Sequence, residues 1–168
     1  RKLFVPCYLI DHPKGKLLWD AGLDPRISGK GPVRSGSSWM EYEKSLLDQL
    51  EEIGVSNNGI ELIALSHMHF DHTGAANYFP EARLLIQEEE YKAAFLDEDI
   101  NPVFDFELYK ELEDNPLTIL NGDHDVFGDG LVKILAAPGH TPGHQVLFIN
   151  LAQRGPIVLS GDLYHFQI

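Results

Sequence analysis

Ser66-His67-Met68-His69-Phe70-Asp71-His72-Thr73-Gly74 sets three imidazoles and one carboxylate within six consecutive residues, 67–72. It follows directly on the apolar run 60–65, which Asn57-Asn58-Gly59 bounds on its other side. A short apolar run flanked by turn formers reads as a buried strand. The histidines are therefore expected where that strand stops and the chain turns toward a helix, the place where open α/β sheets keep their ligand sites. Neutral imidazole is the usual protein ligand for zinc, and carboxylate is a common companion. Along a strand, residues two apart point to the same side, so His67 and His69 can converge on one cation. Asp71 and His72 lie past the turn and can face a second. A polar loop that happens to be rich in histidine does not account for so dense a cluster.

Two later stretches carry related chemistry. In Ala137-Pro138-Gly139-His140-Thr141-Pro142-Gly143-His144, prolines and glycines fix an unusual backbone path around His140, which suits a preorganised ligand loop. His144 shares that loop and is expected to buttress His140 or the fold. In Ser160-Gly161-Asp162, a carboxylate follows a strand and a glycine, so it can reach between two cations.

The order, flanking glycines and strand contexts of these three stretches resemble the metallo-β-lactamase superfamily. PGHTPGHQ together with HMHFDHTG is most similar to its N-acyl-homoserine lactonase branch. The resemblance runs from about residue 3 to about residue 164. It implies an α/β fold, a metallo-β-lactamase-like αββα sandwich, cut short at the C-terminus. It implies two divalent metal ions, with His67, His69 and His140 on the first, Asp71 and His72 on the second, and Asp162 shared. Zinc is the default for such nitrogen and oxygen ligands; iron, manganese or cobalt also fit. The activity implied is that of a metal-dependent hydrolase, a quorum-quenching lactonase that opens an N-acyl-homoserine lactone by attack of a metal-bridging hydroxide. Asp71 would orient the hydroxide and shuttle a proton. Other hydrolases of the fold remain open: a glyoxalase-type thioesterase, a phosphodiesterase or a β-lactamase. So does a metal-binding domain without catalysis.

One departure stands out. The lactonases of this branch carry a tyrosine three residues after the bridging aspartate. Here that position is His165, and Tyr164 stands two after Asp162. Tyr164 and His165 are therefore both candidates to assist the lactone carbonyl. Asp20 matches a carboxylate that, in the family, accepts a hydrogen bond from a ligand imidazole and fixes its tautomer; a strand-end turn aspartate is the alternative.

Composition bounds the rest. A chain of 168 residues with 43% hydrophobic content can bury one core, so a single domain over 1–168 is expected. Thirteen basic against 26 acidic residues give a net charge of −13. Such a surface repels nucleic-acid phosphates and anionic lipid but not a neutral lactone, so a small-molecule substrate is expected, with no nucleic acid and no membrane partner. Oligomeric state is left open. Cys7 is the only cysteine, so no intrachain disulfide forms. No apolar run nears the roughly 20 residues of a membrane span, and no signal peptide is visible, so the cytoplasm is expected. The chain begins with Arg1 and stops six residues after Asp162. The resemblance implies further strands, a helix and one more histidine ligand beyond Ile168, hence a partial domain.

Between the motifs, residues 3–10 and 16–20 read as a hairpin turning at Asp11-His12-Pro13-Lys14-Gly15, with His12 solvated. Residues 23–37 read as a long loop. A helix is expected over 38–53, with Ser38 and Glu41 as a capping box, an apolar stripe of Tyr42, Leu46, Leu50 and Ile53, and Gly54 as its stop. Further helices are expected over 73–79, 88–96 and 106–113, and strands over 82–87, 117–120, 131–136, 145–151 and 156–160. Residues 97–105 read as an acidic loop, either solvated or a lid carrying Phe104. Residues 121–130 read as a polar turn in which His124 and its neighbouring aspartates do turn chemistry. Phe70 either borders an acyl pocket or packs under the sheet edge.

Overall fold

The computed structural model describes residues 3–35, 38–97 and 103–164. Its first sheet has five strands: β1 (Tyr8–His12), β2 (Gly15–Trp19), β5 (Leu62–Ala64), β6 (Arg83–Gln87) and β7 (Leu117–Leu120), side by side in that order. β1 and β2 form the antiparallel hairpin, and β2, β5, β6 and β7 run parallel. The second sheet is antiparallel, in the order β11 (Gly155–Leu159), β10 (Gln145–Leu151), β9 (Val132–Ala136) and β8 (His124–Asp125). A separate small hairpin pairs β3 (Val33–Ser35) with β4 (Ser38–Met40).

Side-chain alternation along the strands builds two cores. Leu17, Trp19, Ala64 and Leu85 face Val132, Ile134, Leu147 and Ile149 of the second sheet. Leu18, Ile63, Leu84 and Ile86 face the other way, onto Leu46 and Leu50 of α1 (Leu46–Glu52) and the helical segments that follow. The first sheet is thus buried on both faces, which is why its parallel strands read as unbroken apolar runs. Gln145 bolts the sheets together at one edge. Its backbone N–H donates to the Ser66 carbonyl at 2.9 Å, and its side-chain amide donates to the Leu65 carbonyl at 2.8 Å.

Most expected strands fall within a residue or two of their observed bounds; the helices are shorter. The helix expected over 38–53 begins only at Leu46. Its N-cap is Ser45, and Asp48 completes the capping box: the Asp48 N–H donates to Ser45 Oγ at 3.1 Å, and the Ser45 N–H donates to Asp48 Oδ2 at 3.3 Å. Ser38–Met40 pairs as β4 instead, and Ile53 is exposed. Gly54, at φ +74°, does stop the helix. The segment expected as a helix over 73–79 splits into α2 (Phe70–Thr73) and a 3₁₀ turn, Ala76–Tyr78. The segment over 88–96 becomes α3 (Glu88–Tyr91) running into a π turn, Lys92–Leu96, and that over 106–113 becomes two 3₁₀ turns. His12 is not solvated. Its Nε2 lies 3.0 Å from Asp129 Oδ2 and its ring stacks on Phe127 at 4.0 Å, because the first hairpin turn folds over the 121–130 loop. That loop performs the expected turn chemistry, with the Asp125 carboxylate accepting from the N–H groups of Gly128 and Gly130. Of residues 97–105, 98–102 lie outside the described residues; Phe104 is buried, and the Val103 carbonyl accepts from the Phe70 N–H at 3.0 Å.

Gly74 is where the strand β2 exit and the turn after α2 touch. Its N–H donates to the Gly22 carbonyl at 2.7 Å. A Cβ added there would stand 2.1 Å from the Leu23 carbonyl carbon and 2.2 Å from the Asp24 nitrogen, both backbone atoms that cannot swing aside. Gly74→Ala is expected to destabilise the fold by about 2–3 kcal/mol. Urea unfolding checks this, and a variant as stable as the parent would refute the close approach.

Candidate metal centre

The loop 65–69 leaves β5 and feeds directly into α2. His69 is the N-cap of that short helix, and its carbonyl accepts from the N–H groups of His72 (2.9 Å) and Thr73 (3.1 Å). One turn of helix leaves the Asp71 side chain 30% exposed at the rim and the His72 side chain 6% exposed beneath it.

Asp20, at the end of β2, fixes this turn. Its Oδ1 accepts the Ser66 N–H at 2.6 Å, and its Oδ2 lies 3.1 Å from His72 Nδ1. Asp20 is buried and takes φ +60°, a region rare outside glycine. Strain of this kind persists where surrounding contacts over-determine it. With Nδ1 held by a carboxylate, His72 turns Nε2 toward Asp162 Oδ1 at 3.5 Å and Asp71 Oδ2 at 3.9 Å.

The other ligands come from the second sheet. His140, in the loop after β9, sets its Nε2 3.1 Å from His69 Nδ1. Asp162, past the end of β11, stands between the two halves: Oδ1 faces His72, while Oδ2 lies 3.5 Å from His140 Nε2. One ligand atom from each of His67, His69 and His140 falls within 4.8 Å of the others, and the same holds for His67, His72 and Asp162. Asp71 joins neither trio; it stands at the edge of the second. His67 Nδ1 meets Ser66 Oγ at 3.1 Å, whereas its buried Nε2 has no hydrogen-bond partner among the described residues.

Electrostatics separate the imidazoles. Burial, then the neighbouring rings of His72, His69 and His140, push His67 far below the usual histidine range. Burial, then His140 and His72, push His69 down to about 4. Both are neutral at physiological pH, with lone pairs available. Burial also works against a charged His72, but Asp20, Asp162 and Asp71 outweigh it and raise that ring to about 10.

These residues fit a divalent cation. An unpartnered buried nitrogen such as His67 Nε2 costs about 1–3 kcal/mol, and a cation at the meeting point of the three rings satisfies it. Zinc–nitrogen bonds of about 2.0–2.1 Å place tetrahedral ligands about 3.3 Å apart, close to the observed 3.1 Å between His69 and His140.

Other expected site residues fall as follows. His144 is fully buried, and neither of its ring nitrogens has a partner among the described residues. A Cβ on Gly161 would come within 3.0 Å of its Nε2, so His144 backs the Asp162 loop as a buttress. Tyr164 is exposed, and His165 lies outside the described residues. Phe70 lines a cleft of about 400 Å³ with Leu23, Ile27, Met40, Val103 and Leu108. Phe104 sets its ring edge-on to His69 at 5.1 Å. Burial and the neighbouring Asp20 push the Cys7 thiol up to about 12, so it is no nucleophile. Glu90 was not legible as a site residue: it sits in Glu88-Glu89-Glu90, which reads as a solvated helix face. It is in fact buried, accepting the N–H groups of Met68 at 2.8 Å and Gly143 at 2.9 Å.

Fold and site together define an α/β sandwich that gathers histidines and carboxylates at one edge. The chain belongs to the metallo-beta-lactamase superfamily, whose family model matches residues 1–165. It is 32% identical over 170 residues to the N-acyl homoserine lactonase AttM of Azorhizobium caulinodans, an alignment covering 94% of this chain and 64% of that protein. It is 29% identical over 170 residues to the N-acyl homoserine lactonase AiiA of Bacillus thuringiensis subsp. kurstaki, covering 94% and 63%. Among solved structures it matches an N-acyl homoserine lactone hydrolase with the product N-hexanoyl-L-homoserine bound at its catalytic metal center, with a TM-score of 0.74 and 28% identity over 92% of this chain and 61% of that one. The chain thus spans just under two thirds of the length of these curated relatives. The family expected from the three motifs, and the fold it implied, are borne out. No helix among the described residues is long and apolar enough to cross a membrane.

Changing His67 or His69 to Ala is expected to abolish metal retention; mass spectrometry reads it, and unchanged metal content would contradict the convergence of these rings. The raised His72 gives a pH signature. Below about 10 a cation must displace its proton, whereas His67 and His69 are already neutral. Affinity for the second cation is therefore expected to keep rising with pH from 7 toward about 10, with proton release on binding. Calorimetry in buffers of different ionisation enthalpy measures this, and an affinity flat above pH 7.5 would count against the Asp20–His72 pairing.

Proposed function

We propose that the protein opens the ring of an N-acyl-homoserine lactone by metal-assisted hydrolysis and so removes a quorum-signalling molecule. The observation that carries this reading is the pair of ligand trios at one sheet edge, with the neutral rings of His67 and His69 turned inward. The substrate class is supported by the relatives named above, both of them N-acyl homoserine lactonases.

In this reading His67, His69 and His140 hold one divalent cation. A neutral imidazole offers one free lone pair, so His67 serves that cation alone. His72 and Asp71 hold the second, and Asp162 places one oxygen on each side. Zinc is the first choice for this ligand set, followed by iron, manganese and cobalt. When bound, such a pair lowers the pKa of a water from 15.7 toward about 7 and polarises a carbonyl oxygen. The chain's own groups do the rest. Asp20 keeps the His72 tautomer. Asp71, at the rim, orients the attacking water, takes its proton and returns it to the departing alkoxide. Tyr164 or His165 donates to the lactone carbonyl, and the apolar cleft beside Phe70 receives the acyl chain.

The test uses the full-length protein, with ring opening followed by proton release from an acyl-homoserine lactone and with phosphodiester and thioester substrates as controls. Turnover of the phosphodiester or thioester in place of the lactone would refute the reading. Tyr164→Phe is expected to slow lactone opening roughly 10²-fold with metal content unchanged; an unaffected rate would transfer the role to His165.

A further inference from the structure

Two segments from different sheets must meet at a fixed distance for His67 and His69 to face His140. Direct contact between their side chains does not set that distance, because three neutral rings have no strong attraction for one another. Glu90 lies between the segments. It is 2% exposed, at the third position of α3. Its Oε1 accepts the N–H of Met68, the residue between His67 and His69. Its Oε2 accepts the N–H of Gly143, three residues past His140. The backbones are packed to contact as well: a Cβ on Gly143 would stand 2.3 Å from the Glu90 nitrogen and 2.5 Å from its Cβ. Burial raises the Glu90 pKa, and the two N–H groups oppose that rise.

We propose that Glu90 is a positioning residue of the metal centre, its two carboxylate oxygens clamping the 67–69 segment to the 140–143 loop so that the three histidines are preset before a cation arrives. The proposal rests on the reading that these histidines hold a cation. A carboxylate is the group the geometry requires. Both partners are donors, so both side-chain atoms must accept, and an amide of the same shape turns one NH₂ group against an N–H. Outer groups that orient ligands in this way typically govern metal affinity by 10- to 100-fold.

The experiment compares the full-length parent with Glu90→Gln in zinc competition against a chelator and in the visible spectrum of the cobalt(II)-substituted protein. Glu90→Gln is expected to bind the first zinc about 10- to 100-fold more weakly and to shift the cobalt bands, since the ligand rings are no longer held in one geometry. A folded Glu90→Gln that binds zinc within twofold of the parent and gives the parent's cobalt spectrum overturns the proposal while leaving the metal centre intact. A parent that binds no zinc overturns both. Should the variant not fold, hydrogen exchange on the metal-free parent decides. Slow exchange at the Met68 and Gly143 amides is the expected result, and exchange at the rate of open loops overturns the clamp.

Discussion

The structure turns on a buried carboxylate with a donor on each oxygen. Asp20 ends β2 in a left-handed conformation that few non-glycine residues tolerate. It is kept there because Ser66 and His72 both need it. The Ser66 bond anchors the start of the histidine loop to the neighbouring strand. The His72 bond chooses which ring nitrogen faces the site. One side chain therefore couples the sheet register to the tautomer of a ligand. The backbone repeats the connection, with the Ala21 N–H donating to the His72 carbonyl and the Gly74 N–H to that of Gly22.

The second sheet must be tied to this frame, and buried polar groups do it. Gln145 begins β10 and spends its backbone N–H on Ser66 and its amide on Leu65, the residues just before His67. Gln87 meets the Gln145 side chain at 3.2 Å and exchanges two hydrogen bonds with Gly122. Apolar packing brings the sheets together without fixing their sliding position, since the hydrophobic effect is non-directional. Directional bonds between Gln145, Glu90 and the loop amides supply the register that ligand convergence needs.

What the sequence made legible was local. The three motifs and the strands of both sheets could be read because each is a contiguous pattern. The misread helix start shows the limit. Ser38 and Glu41 matched a capping pattern as well as Ser45 and Asp48 did, and only the pairing of β4 with β3, a tertiary fact, removes the first. His12 read as solvated because its partner, Asp129, lies 117 positions away. Glu90 was hidden for the same reason: among three consecutive glutamates nothing local says which one turns inward, and its donors belong to residues 22 and 53 positions distant.

The spacing of the histidine motif follows from the change of element it spans. His67 and His69 precede the helix, on extended chain where alternate residues share a side. His69 then becomes the N-cap, and the next turn brings the chain back over itself. Asp71 and His72 fall in that turn, so His72 reaches under the loop within 4.2 Å of the His67 ring. A longer helix before His72 would carry it away from the strand end, and a continued strand would send it to the far side of the sheet. A short element switch is thus the arrangement that lets six residues address two neighbouring points, and a single carboxylate from the other sheet, Asp162, is placed to serve both.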